Sequence, residues 1–237
     1  MSEPLGRIEK PEAEGFRRGK KLYLVPLMYL SEEAPEEYKE KHSRYWRQVT
    51  EQLHNLASKV GNVSRVYHES VVQAGEEGLK AAERLNPASY QIAKSQCDHG
   101  AIFEPLEEKE SLEEVMDWQR CLMLGFMSEK VERKVFELYL EAGKRRNEAV
   151  ARKIGETLKD DEAGLLFIRE GHSVQFPAEI EVFSVFPPAL DEIHRWHRDQ
   201  ARLGMEKPAE KSQEKTEEEA EEVKKKTRRR TKGKPER

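Results

Sequence analysis

Apolar and polar residues along this chain form two kinds of segment that follow one another in alternation. The first kind is a short apolar run, typical of a buried strand. Such runs lie at 21–30, 63–72, 100–106, 165–168 and 179–187. The second kind places apolar residues three and four positions apart, which is typical of a helix with one buried face. Such segments lie at 35–60, 76–85, 111–124, 128–158 and from 191 onward. Strands that alternate with helices predict an α/β fold, with a mainly parallel sheet of about four to six strands covered by helices.

Local signals indicate where several of these elements begin and end. Pro26 lies inside the first apolar run, which argues either for a bulge or for a strand that ends early. Ser111 and Glu114 have the spacing of a capping box, so we expect a helix to begin at Ser111. The segment 90–99 fits a helix and a loop equally well.

Charge and composition divide the chain into three parts. Residues 1–19 show no apolar periodicity, so we expect a flexible arm, and residues 20–204 carry the predicted elements of a single domain. Residues 205–237 are rich first in Glu and then in Lys and Arg, and we expect a disordered, charged tail because such a segment buries little apolar surface. Residues 206–237 contain twelve Lys and Arg and nine Asp and Glu, a net charge of +3. Because the whole chain has a formal net charge of −4, the remaining residues carry −7.

This charge distribution narrows the partners and the location that we expect. An acidic body is a poor surface for nucleic acid, so nucleic acid or an acidic partner would bind the basic part of the tail. Alternatively, the tail only keeps the protein in solution. No apolar stretch is long enough to cross a membrane, and the first 21 residues have no apolar segment typical of a secretory signal. We therefore expect a cytoplasmic protein without a membrane partner.

Chemically useful side chains lie at or just beyond the carboxyl ends of three of the predicted strands. They are Glu69, Glu104 and His172. Ligands of α/β proteins bind outside the carboxyl ends of the strands, so these residues are candidates for one site. A carboxylate there suits a general base or a metal ligand, and a solvated strand end is the plainer alternative. Gly171, directly before His172, permits a tight turn and a close approach of the backbone. The common signatures GxGxxG, GxxxxGK[ST], HExxH and GxSxG are absent, which disfavours the enzyme classes that carry them.

A further pair, Arg146 and Asn147, lies in the segment KRRNEAVARKI of the long helix predicted at 128–158. Charged residues on a helix usually face solvent, so an exposed polar face is one interpretation. The other interpretation is that this pair joins the residues at the strand ends.

Taken in chain order, these residues resemble a known pattern. Glu69 after the second strand, Arg146-Asn147 on a long helix and Gly171-His172 after a late strand are similar to the TraB/TIKI family and its relatives of the ChaN and erythromycin-esterase type. The segments RRNEAVARKI, GLLFIREGH and IEVFSVFPP continue the similarity, which extends over about residues 21–202.

The resemblance implies one α/β pocket with hydrolase-like chemistry. Glu69 would serve as ligand or base, His172 as a second ligand or proton carrier, and Arg146 as an anion clamp or as the group that orients Glu69. Glu69 and His172 would hold a divalent metal. Further contacts to a small anionic or peptide-like ligand are expected from Glu104, Asn147 and Gly171.

The chain departs from this family after the first strand. Members that are metal-dependent hydrolases carry a Gly-x-x-His there, whereas this chain has VPLMYLSEE at 25–33, without glycine or histidine. Two functions therefore remain open. The first is a hydrolase-like pocket of Glu, Arg and His, either catalytic or degenerate and ligand-binding. The second is a non-enzymatic interaction protein that acts through its basic tail.

Overall fold

Five parallel strands form a sheet in the part of the chain that the computed structural model describes, residues 18–202. They are β1 (Lys20–Pro26), β2 (Val63–His68), β3 (Ile102–Phe103), β4 (Ala163–Ile168) and β5 (Ile180–Ser184). Their order across the sheet is β3-β2-β4-β1-β5. All six residues of the central strand β4 are buried, as expected for a parallel strand with neighbours on both sides. The predicted α/β fold with a parallel sheet of four to six strands is confirmed.

Helices connect most of these strands. They are α1 (Glu36–Lys59), α2 (Gly75–Leu85), α3 (Pro87–Asp98), α4 (Lys109–Leu124) and α5 (Glu129–Thr157), followed by α6 (188–202). The segment 90–99 is helical up to Asp98, because Pro87 occupies the first turn of α3 and the Asn86 side chain accepts the N–H of Ser89. The predicted capping box at Ser111 is wrong, since α4 begins two residues earlier and Glu108 is its N-cap.

Helices pack on both faces of the sheet. On one face the Tyr67 hydroxyl lies 2.8 Å from the hydroxyl of Thr157 in α5. On the opposite face the Trp46 ring of α1 lies 6.3 Å from the Phe167 ring of β4. The core between α5 and the sheet includes Leu22, Leu24, Val150, Ile154, Leu158 and Leu166. The apolar stripe predicted at 128–158 is therefore buried against the strands only in its second half, where Ala142, Val150 and Ile154 are buried. In the first half of α5, Val131 is 48% exposed.

The connections diverge above the carboxyl ends of β2 and β4. The chain leaves β2 toward β3 on one side and leaves β4 toward β5 on the other, passing beyond β1. Connections that run in opposite directions leave a crevice outside the carboxyl ends of the two strands. The residues that directly follow β2 and β4 are therefore placed side by side at one edge of the sheet.

The chain divides into two units, Met1–Ala189 and Leu190–Arg237. The first contains the sheet and α1 to α5, and the described part of the second is the rest of α6. Most of the predicted arm 1–19 and the whole predicted tail 205–237 lie outside the described residues. The domain limits 20–204 and the partners assigned to the tail thus stay predictions. Within residues 18–202, no helix combines the length and the apolar character that a membrane span requires.

Candidate functional site

Glu69 occupies the position directly after β2. Its backbone N–H donates to the carbonyl of Phe167 at 2.9 Å and thereby extends the pairing of β2 with β4 by one residue. Since side chains alternate along a strand, His68 and Glu69 lie on opposite faces of the sheet. His68 is buried on the face of α3, with Nε2 3.0 Å from the hydroxyl of Ser89. Glu69 lies on the face that α5 covers, as the alternation predicts.

Two arginines and a backbone amide hold the Glu69 carboxylate. Oε1 lies 3.2 Å from Arg146 Nη2 and 3.3 Å from Arg169 Nε. Oε2 accepts the backbone N–H of Arg169 at 2.7 Å. Only 8% of the Glu69 side chain is exposed. The carboxylate is thus fixed from two sides, by α5 and by the residue that follows β4.

Arg146 does not face solvent. Its side chain is 7% exposed, and it binds a second carboxylate through two hydrogen bonds, Nε to Glu107 Oε2 at 2.5 Å and Nη2 to Glu107 Oε1 at 2.6 Å. Burial lowers the pKa of Arg146, and the hydrogen bonds and charges of Glu107 and Glu69 outweigh burial, so the net pKa is raised. Paired hydrogen bonds of this kind fix the plane of a guanidinium as well as its position. We call Glu69, Glu107, Arg146 and Arg169 the Glu69–Arg146 cluster.

Backbone pairing after β2 fixes Glu107 in this cluster. The carbonyl of Val71 accepts the N–H groups of Leu106 and Glu107 at 3.1 and 3.2 Å. Ser70 has a φ of 66°, in the left-handed region, and donates its N–H to Glu107 Oε1 at 2.6 Å. The left-handed turn thus directs a backbone donor at the carboxylate, and such turns cluster at functional sites.

The site residue predicted in the segment EPLEEKE was Glu104, not Glu107. Glu104 does not join the Glu69–Arg146 cluster, because its carboxylate pairs with Arg65, whose Nε lies 2.7 Å from Glu162 Oε2. The physical reason is that residue 104 still pairs with β2, donating its N–H to the Val66 carbonyl. Its side chain is therefore held beside Arg65. The placement of ligand sites at the carboxyl ends of strands pointed to this segment. The tertiary contacts show that Glu107 is the glutamate that joins the cluster.

A cavity of about 580 Å³ lies beside the cluster, between α5 and the segment that follows β4. Its volume is in the range of small-molecule sites. Arg169 connects the two, because its Nε contacts Glu69 while 49% of its side chain is exposed at the cavity wall. The other polar residues that line the cavity include Lys144, Asn147, Glu148, His172, Ser173 and Gln175.

Gly171 and His172 form one end of this cavity. Gly171 has a φ of 74°, where a side chain is strained, but a Cβ built on it would meet nothing within 4 Å. The glycine therefore serves the turn, and no described residue of the protein approaches it closely. Nδ1 of His172 accepts the N–H of Val174 at 3.3 Å, which places the proton of the neutral ring on Nε2. Burial and the charge of Arg169 lower the pKa of His172, against the opposing charge of Glu69.

The predicted residues are therefore placed as follows. Glu69 and Arg146 are in direct contact. His172 lies at the same edge of the sheet, because β2 and β4 are neighbours, and Glu69 acts on it through charge. Asn147 and Gly171 line the cavity with His172.

The residues present do not fit a divalent metal. Glu69 Oε1 faces two guanidinium groups, and a metal cation at that oxygen would be repelled by both. Among residues 18–202, no group of three or more His, Cys, Asp and Glu side chains is arranged to hold a metal ion. The metal expected on Glu69 and His172 has no support in this donor set.

No protein-family model, curated protein or solved structure matches the chain. The resemblance to the TraB/TIKI family stays a prediction.

Proposed function

We propose that this protein binds a small anionic ligand in the cavity beside the Glu69–Arg146 cluster and does not hydrolyse it. The observation that carries the proposal is that Arg169 is fixed by Glu69 and exposed to the cavity at the same time. Its backbone N–H and its Nε are both bound to Glu69, while half of the side chain is exposed at the cavity wall. A guanidinium fixed in this way loses less conformational freedom when it binds a carboxylate or a phosphate.

Other side chains of the cavity supply donors to the same ligand. The neutral ring of His172 offers Nε2–H, and Asn147 offers its amide. Lys144 adds a positive charge, and its Nζ also lies 3.8 Å from Oε1 of the exposed Glu148. In the Glu69–Arg146 cluster two carboxylates balance two guanidinium groups, but the carboxylates are buried and the exposed member is a cation. A ligand in the cavity therefore meets the positive end of the cluster.

The same contacts argue against a catalytic role for Glu69. A general base needs a carboxylate oxygen that can reach a water molecule. Both oxygens of Glu69 already accept hydrogen bonds or ion pairs, and the side chain is 8% exposed. For Glu69 to act as a general base, its carboxylate would have to leave Arg146 and Arg169. Of the two forms of a hydrolase-like pocket that the sequence allows, these contacts favour the ligand-binding form.

The test is a titration of the ¹⁵N-labelled full chain with inorganic phosphate and with acetate, followed by NMR. We expect saturable shifts of the Gly171 amide and of the Arg169 Nε–H in the wild type. The Gly171 shift should be lost in Arg169→Gln, which has no Nε–H of its own. Arg145→Gln is the matched control, because Arg145 is exposed and pairs with Glu114 on the surface. Shifts that are unchanged in Arg169→Gln, or absent from the wild type, would contradict the proposal. Turnover of a p-nitrophenyl ester that is lost in Glu69→Gln would contradict its non-catalytic part.

A further inference from the structure

One wall of the cavity beside the Glu69–Arg146 cluster is apolar. Tyr139, Leu140 and Gly143 of α5 line it, away from the polar residues of the β4 end. Leu140 is 53% exposed, and Phe136, one helical turn before it on the same side of α5, is 48% exposed. Two large apolar side chains thus continue the cavity wall outward along the helix without being covered.

Gly143 lines this wall and has no structural need to be glycine. A glycine inside a helix is less favourable than an alanine. A Cβ built on Gly143 would meet nothing within 4 Å, and its φ is not in the left-handed region. Gly155 of the same helix is different, since its Cβ would lie 3.1 Å from Pro177 Cγ. The missing side chain at Gly143 keeps the cavity open between Leu140 and Asn147.

We infer that the ligand is an aliphatic monocarboxylate, with its carboxylate on Arg169 and its alkyl chain across Gly143 toward Leu140 and Phe136. This inference rests on the proposed function and adds the chemical class of the ligand. Arg169 is the guanidinium of the cluster that is exposed to the cavity, and Lys144 is already paired with Glu148. The cavity therefore matches a ligand with a single anionic group. The alkyl chain would cover the apolar wall, which gains free energy with each methylene group.

The experiment measures the dissociation constants of acetate, butanoate, hexanoate and octanoate, below micellar concentration, by NMR titration of the full chain. We expect the dissociation constant to fall roughly three- to fourfold for each added methylene group. The Gly143 amide shift should grow with chain length, whereas the Gly171 shift, which reports on the carboxylate, should stay the same.

Two substitutions separate the alkyl chain from the carboxylate. Leu140→Gln should weaken octanoate binding by roughly tenfold, because the chain loses its apolar contact, and should leave acetate binding unchanged. Val131→Gln is the matched control, since Val131 is 48% exposed on the same helix. It lies nine residues before Leu140, or about two and a half helical turns, and therefore on the opposite side of α5. We expect it to bind octanoate like the wild type.

Three outcomes of these titrations would contradict the inference, and one of them would also contradict the proposed function. Equal dissociation constants for acetate and octanoate in the wild type would overturn the inference and leave the proposed function intact. Octanoate binding that falls equally in Leu140→Gln and Val131→Gln would also overturn the inference, because binding would not use this wall. Octanoate binding that persists in Arg169→Gln would overturn both the inference and the proposed function.

Discussion

Replacing Arg146 by methionine removes the guanidinium that joins two buried carboxylates while it keeps an unbranched side chain in the same space. Three interactions are lost, two with Glu107 at 2.5 and 2.6 Å and one with Glu69 at 3.2 Å. Glu69 keeps its contacts with Arg169, and Glu107 keeps the N–H of Ser70. The negative charge of Glu107, with a side chain that is 1% exposed, then loses its bidentate partner.

The magnitude follows from that burial. Removal of one partner from a buried ion pair costs about 3–5 kcal/mol, because the other charge stays desolvated. We expect Arg146→Met to lower the free energy of unfolding by about that amount at pH 7. This is a large part of the roughly 5–15 kcal/mol that stabilises a typical domain.

Urea unfolding, followed by far-ultraviolet circular dichroism, measures the effect. Arg145→Met is the matched control on the neighbouring position of α5. Its salt bridge to Glu114 joins side chains that are 55% and 43% exposed, so its loss should cost less than about 1 kcal/mol. The double variant Arg146→Met with Glu107→Gln should be more stable than Arg146→Met alone, because it removes the buried charge.

Two results would refute this reasoning. If Arg146→Met lost no more stability than Arg145→Met, the buried pairing would not contribute as argued. If the added Glu107→Gln substitution lowered stability further, the unpaired carboxylate would not be the source of the loss.

Four further predictions concern other groups. Burial lowers the pKa of His68, so the unfolded chain binds more protons below about pH 6.5 and the free energy of unfolding should fall from pH 7.5 to 5.5. Urea titrations of His68→Gln should give a flatter pH dependence, and an equal slope would contradict this origin. Gly143→Ala should raise the free energy of unfolding by up to about 1 kcal/mol, since its Cβ meets open space. Gly78→Ala should lower it, because its Cβ would overlap the Gln73 carbonyl and the Phe103 ring; a stabilised Gly78→Ala would show that the helix relaxes. Bound acetate should raise the pKa of His172, measured by NMR, because an anion stabilises the charged ring.

Local sequence patterns were enough to predict most of the strands and helices and their alternation along the chain. The period of the apolar residues follows from the geometry of strands and helices, so five strands and most of their covering helices could be placed from the sequence. The exception was α3, since residues 90–99 fitted a helix and a loop equally well. Alternation along β2 likewise placed His68 and Glu69 on opposite faces. Element ends were less well predicted, because hydrogen bonds with neighbouring strands decide them. The second strand, expected to reach residue 72, ends at His68.

The composition of the candidate site was decided by contacts between distant segments. Glu107 lies 39 residues from Arg146, and nothing in EPLEEKE distinguishes it locally from Glu104. Arg146 itself has the sequence context of a solvent-facing helix residue and is buried because α5 passes over the ends of β2 and β4. The sequence by itself determined which residues stand at the strand ends. Only the tertiary structure decided which carboxylate meets which guanidinium, since that pairing depends on distances between chain segments that the order of the residues does not contain.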